Sequence, residues 1–136
     1  MSNSGVRDYI PNRAFGNGLS GDPDVSLVSL ADAADATFTP VPNAVHAMVP
    51  TAARSLTLTQ ADASKTTLRV GCGFRFWIKN DSAGAYSITL VAGGGANVAT
   101  QGTSTLVVAQ GETGEFLLYR TSASVHSLVT LGVSEH

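Results

Sequence analysis

The chain has 136 residues, of which 43% are hydrophobic and only 13% charged, with a net charge of −2. That length suits one domain, and the charged fraction is about half the roughly 25% of an average soluble domain. The eight Lys and Arg form no basic run, so the clustered cations of a nucleic-acid binder are missing. No apolar stretch is long enough for a transmembrane helix, and Cys72, the single cysteine, has no intrachain partner for a disulfide.

Residues 1–24 contain Gly5, Pro11, Gly16, Gly18, Gly21 and Pro23 and follow neither a helical nor a strand period. The opening MSNSGVRDYIPNR has no apolar core of the kind a signal peptide needs. Tyr9, Ile10, Phe15 and Leu19 are spaced as anchors on an extended arm, suited to docking on a neighbouring chain; the alternative reading of this segment is a frayed terminus. The arm is expected to span residues 1–36. Within DVSLVSLADAADATF (24–38), a short strand is expected to lead into a loop or one helical turn that Pro40 and Pro42 stop.

A β-domain is expected over 37–136. NAVHAMVP (43–50) carries Val45, Ala47 and Val49 on one alternating face, and RSLTLTQ (54–60) alternates Leu56 and Leu58 with Ser and Thr, the period of a half-buried strand. ADASK reads as a polar turn and TTLRV as the strand after it. FRFWIKN alternates Phe74, Phe76 and Ile78, expected in the core, with Arg75, Trp77 and Lys79, expected outside. Trp77 among cations suits a cation–π surface or a partner-binding anchor, or else an indole that covers a sheet edge with Arg75 stacked on it. Asn80 to Gly84 is a turn cluster expected to close a hairpin onto AYSITLV. NVAT, STLVVAQ, EFLLYRT and VHSLVTL complete about eight or nine short strands. Turn signals every 8 to 12 residues or so, with no long helical segment between them, predict an all-β fold: a compact antiparallel sandwich, jelly roll or small barrel.

Catalytic signatures are missing. VAGGGANVATQG has no Lys-Ser/Thr after its glycines and no following helix, so it is no phosphate loop. Its dinucleotide-type reading fails at Val98, too bulky for the last small position. His46, His126 and His136 have no second ligand at metal-site spacing. There is no G-x-S-x-G elbow. Cys72, flanked by glycines at a strand entrance, reads as a small buried hydrophobe, and Glu112 and Glu115 as solvated turn residues. No cofactor, metal or small-molecule substrate is expected.

Residues 56–121, from LTLTQADASK to EFLLYRT, resemble β-rich virion proteins of tailed bacteriophages. The resemblance rests on Gly71, Phe74, Phe76, Ile78, Asn80, Ser82, Ile88-Thr89-Leu90, Ala92-Gly93, Gly95, Gly102 with Thr105, and Gly111 with Phe116. It implies a non-enzymatic capsid decoration (cement) protein, a homotrimer that binds the major capsid protein on the virion surface. The alternative it implies is a tail or head fibre domain contacting host-surface glycan. The arm lies outside the resemblance.

Overall fold

A computed structural model describes residues 25–34, 36–92, 98–101 and 106–136, with the backbone alone at 98–101. These residues form ten strands and one short helix. In chain order they are β1 (Ser26–Ser29), β2 (Ala36–Thr37), β3 (Ala44–Met48), β4 (Arg54–Leu58), α1 (Gln60–Ser64), β5 (Gly73–Asn80), β6 (Ile88–Ala92), β7 (Val98–Gln101), β8 (Val107–Val108), β9 (Glu112–Ser122) and β10 (Val125–Glu135).

The strands make two sheets, one ordered β1-β3-β5-β9-β10-β7 and the other β2-β4-β6-β8. From β1 to β6 every connection crosses from one sheet to the other, so the chain winds as a coil. Ser26 pairs beside Ala44 and Ala36 beside Leu56, so the first circuit returns after 18 to 20 residues. Val45 pairs beside Trp77 and Arg54 beside Ile88, so the second takes 32 to 34, the extra length holding α1. The winding makes neighbours parallel. Of the eight ladders, β1–β3, β3–β5, β2–β4, β4–β6 and β7–β10 run parallel, and only β5–β9, β9–β10 and β6–β8 are antiparallel.

The mostly-β expectation therefore holds, and the antiparallel one is corrected: the sheets are mixed, and neither closes into a barrel among the described residues. The expected hairpin at Asn80–Gly84 is corrected too, because β5 and β6 lie in different sheets. Residues 26–29, assigned to the arm from sequence, form β1 and pair with β3. ADASK is part of α1, capped by Thr59, whose Oγ1 accepts from Asp62 N–H while the Asp62 carboxylate turns back to the cap. TTLRV is irregular and not a strand: Thr67 and Gly71 both take positive φ (55° and 87°). Cys72 follows this turn and is exposed, not buried.

One core lies between the sheets. The six-stranded sheet contributes Met48, Phe76, Ile78, Phe116, Leu118 and Leu128; the four-stranded sheet contributes Leu56, Leu58, Ile88, Leu90 and Val108. Phe76 stacks on Phe116 with centroids 5.5 Å apart. Each such large side chain contributes roughly 1.5–3 kcal/mol by burial. The Phe76/Ile78 face of β5 is inside, as its alternation predicts. On β3 the inner face is Ala44, His46 and Met48, so Val45, Ala47 and Val49 face outward.

Candidate interaction face

The outer face of the six-stranded sheet holds the two candidate partner-binding residues that lie within the described chain, Arg75 and Trp77. Tyr9, Ile10, Phe15 and Leu19 lie outside the described residues. Register aligns one row across five strands: Leu27 beside Val45, Val45 beside Trp77, Trp77 beside Glu115, and Glu115 beside Gly132. A second row runs Ser29, Ala47, Lys79, Thr113, Ser134. The first row starts apolar and prominent, with Leu27 76% exposed, and passes through the half-buried indole of Trp77. Val25, just before β1, and Val49, just after β3, are both more than half exposed.

At the other end, Gly132 brings no side chain to the row, and a Cβ built there meets nothing. That leaves a groove of about 380 Å³ lined by Trp77, Thr113, Glu115, Gly132, Val133 and Ser134.

The charges on and beside this face are paired within the chain. Arg75 Nη1 lies 3.3 Å from Glu115 Oε2. Lys79 Nζ lies 3.4 Å from Asp81 Oδ1, and His136 Nε2 also reaches that oxygen, at 3.1 Å. Glu112 and Glu115 are thus strand residues, not free turn acids; Glu112 Oε1 accepts from Ala109 N–H at 2.9 Å.

The outer face of the four-stranded sheet differs. Its outward residues are mainly hydroxyls: Thr37 beside Thr57, and Ser55 beside Thr89. Val91 is its exposed apolar exception. Hydroxyls are solvated at little cost, whereas an apolar row on a sheet face is stabilised by cover.

Three buried polar groups are fully engaged within the fold, and of these the sequence points only to Asn80, as a turn residue. His46 is fully buried beneath the row, edge-on to Phe38 and Phe76. With its proton on Nδ1 it donates to Trp77 C=O at 3.0 Å and accepts from Val41 N–H at Nε2, also at 3.0 Å. Burial holds it below the ordinary imidazole pKa, against the upward pull of the Trp77 bond. Asn80, fully buried at the end of β5, donates from Nδ2 to Tyr86 C=O (2.8 Å) and Val108 C=O (3.0 Å) and accepts from Ser82 N–H at Oδ1 (3.0 Å). Asp62 accepts from the hydroxyls of Thr59 (2.8 Å) and Thr39 (3.1 Å). Its burial raises its pKa, but these bonds, with Lys65 nearby, outweigh that and leave it lowered.

Among the described residues no three His, Cys, Asp or Glu side chains gather as a metal site, and no helix is long and apolar enough to cross a membrane. An apolar slot of about 270 Å³ opens between β1 and β2 over His46, but both nitrogens of that ring are already bonded. The outward placement of Arg75 and Trp77 was legible from their alternation with Phe74, Phe76 and Ile78. The signal for His46 was not, since a lone histidine in a strand is silent about its face. No known protein family matches the chain, and no curated protein matches it.

Proposed function

We propose that this chain is a non-enzymatic structural protein of a tailed-phage virion, a decoration protein that binds the assembled capsid lattice as a homotrimer. The observation that carries the reading is the outer face of the six-stranded sheet. It has an apolar–aromatic row with neutralised charges, which suits burial against protein and offers neither a catalytic constellation nor a field for nucleic acid. The resemblance of residues 56–121 to β-rich virion proteins supplies the setting. In this proposal the two sheets are the layers of a sandwich, and residues Tyr9, Ile10, Phe15 and Leu19 of the arm grip the shell. The major capsid protein is the partner, and the protein is made in the host cytoplasm and resides on the capsid surface. Binding only to the assembled shell stabilises that state by mass action, and repeated symmetric attachment adds avidity.

Co-sedimentation with shells of the cognate major capsid protein tests this. The full chain should saturate the shells and raise their resistance to heat. Replacing Tyr9, Ile10, Phe15 and Leu19 together by serine should abolish attachment while leaving the circular dichroism unchanged. Normal decoration by that variant removes the arm from the proposal, and no binding by the full chain removes the capsid role.

A fibre domain contacting host glycan is the second reading. The groove favours it, because the Trp77 indole there stands among Thr113, Glu115 and Ser134, a stacking surface beside hydrogen-bonding groups. Glycan-array signal lost in Trp77→Ala would support it over the capsid role.

A further inference from the structure

We infer that the outer face of the six-stranded sheet, centred on Trp77, is where one copy of this chain packs against another. The inference rests on the proposed oligomeric coat subunit and names the surface through which that subunit self-associates.

The first argument comes from β3. It lies between β1 and β5, parallel to both. Its inner residues Ala44, His46 and Met48 are buried, and its outer residues Val45 and Ala47 are apolar as well. Strands apolar on both faces belong to parallel sheets covered on both sides. Here the core covers one side. Outside, Leu27 and Val49 stand 76% and 58% exposed in the isolated chain.

The second argument is electrostatic. A partner of high charge needs an opposing field, and this face has none to offer. Arg75 sits beside Glu115, and Lys79 beside Asp81. Covering such pairs strands no lone ion, which would cost more than burying a charge together with its partner. Adjacent opposite charges also match a second copy of themselves, since Arg75 of one chain can meet Glu115 of the other without leaving either unpaired. The face is thus complementary to itself in charge and in apolar character, and the hydroxyl-rich face of the other sheet is not.

Trp77 is the only tryptophan in the chain, so its fluorescence reports this face alone. The test follows emission maximum and light-scattering mass together while the full chain is diluted. The expected result is an oligomer with blue-shifted emission that shifts red as the mass falls to that of the monomer. Leu27→Lys removes an exposed side chain and puts like charges into the contact from both copies. It should weaken association by about tenfold or more with an unchanged far-ultraviolet circular dichroism spectrum. Thr57→Lys, on the outer face of the four-stranded sheet, should associate like the parent and keep its emission.

A monomer of constant emission at every concentration overturns the inference. So does a Leu27→Lys protein that assembles normally, or an emission shift that appears only when capsid shells are added, which would make the shell the occupant. Co-sedimentation separates this from the capsid role: an oligomer formed through Trp77 that ignores shells sinks the capsid reading alone, and a monomer that decorates shells sinks the self-association and the homotrimer but leaves shell binding standing.

Discussion

Asn80→Ala tests the coil at the point where its two sheets are tied together. Asn80 ends β5 in one sheet, and its Nδ2 donates to Val108 C=O in β8 of the other and to Tyr86 C=O in the crossover. Its Oδ1 takes Ser82 N–H. Alanine removes three hydrogen bonds, each worth about 0.5–1.5 kcal/mol net, and strands Ser82 N–H in a buried site at about 1–3 kcal/mol. Tyr86 C=O, nearer the surface, can be rehydrated. The expected loss is about 3–4 kcal/mol, read as a lower urea midpoint at unchanged slope. Asn80→Asp adds a directional check. It keeps the acceptor for Ser82 but turns an oxygen towards two carbonyls, which favours the protonated carboxyl in the folded state. That raised pKa makes the variant relatively more stable as pH falls through it, the reverse of an ordinary paired aspartate. A loss below about 1 kcal/mol in Asn80→Ala, or an Asn80→Asp protein that is as stable as the parent at neutral pH, would refute the bridging role.

Three further outcomes follow from the buried contacts. Gly73→Ala should cost about 1–3 kcal/mol in chemical denaturation, because the added Cβ falls 2.6 Å from Tyr119 Cβ and 2.8 Å from Leu118 C=O across the β5–β9 ladder. Asp62→Ala should cost about 1–2 kcal/mol by the same assay, through loss of the α1 capping box and the Thr39 bond, with Asp62→Asn less damaging. Stability should decline on acidification from about pH 8 to pH 5, because burial lowers the pKa of both His46 and His126 in the fold, with the Arg120 charge also lowering His126. The unfolded chain then binds more protons, so stability is full above the ordinary histidine pKa and is lost as pH falls below it; a flat profile over that range would contradict the neutral, doubly bonded His46.

The face of each strand was more legible in the sequence than its partners. Phe74, Phe76 and Ile78 alternate with Arg75, Trp77 and Lys79, and the period of two survives in any sheet. Leu56 and Leu58 were likewise readable as core. Sheet membership was not readable, because a connection such as 81–87 serves a hairpin or a crossover equally well. Asn80 and Ser82 have turn chemistry in both cases; the strand pairing shows that the segment spans two sheets, and the Asn80 bond to Val108 ties them. Period also misleads where both faces are apolar. Val45, Ala47 and Val49 form the obvious alternating set on β3, yet the core takes Ala44, His46 and Met48, because His46 finds partners for both nitrogens inside. The helix had a readable signal in Thr59-x-x-Asp62, a variant of the capping box, obscured by the short polar run around it.

The distribution of side chains over the two outer faces gives the low charge of the chain a physical meaning. A composition of 13% charged residues spread evenly would say only that the surface is poorly solvated. In the fold it is not even. Hydroxyls collect on the outer face of the four-stranded sheet, where Ser55, Thr57 and Thr89 are adjacent. Leu27, Val45 and Trp77 line up on the other sheet, and the charges among and beside them are neutralised by neighbours. The coil makes this sorting possible. Because β1 to β6 enter the sheets alternately, residues close in sequence reach opposite layers, and each layer's outer face can take its own composition. Two sheets with a common core need only their inner faces to be apolar for folding; the second apolar face does nothing for the isolated chain's core. Among the described residues that second apolar face stands on the six-stranded sheet, in register across β1, β3 and β5, and the proposed self-association is the contact that would cover it.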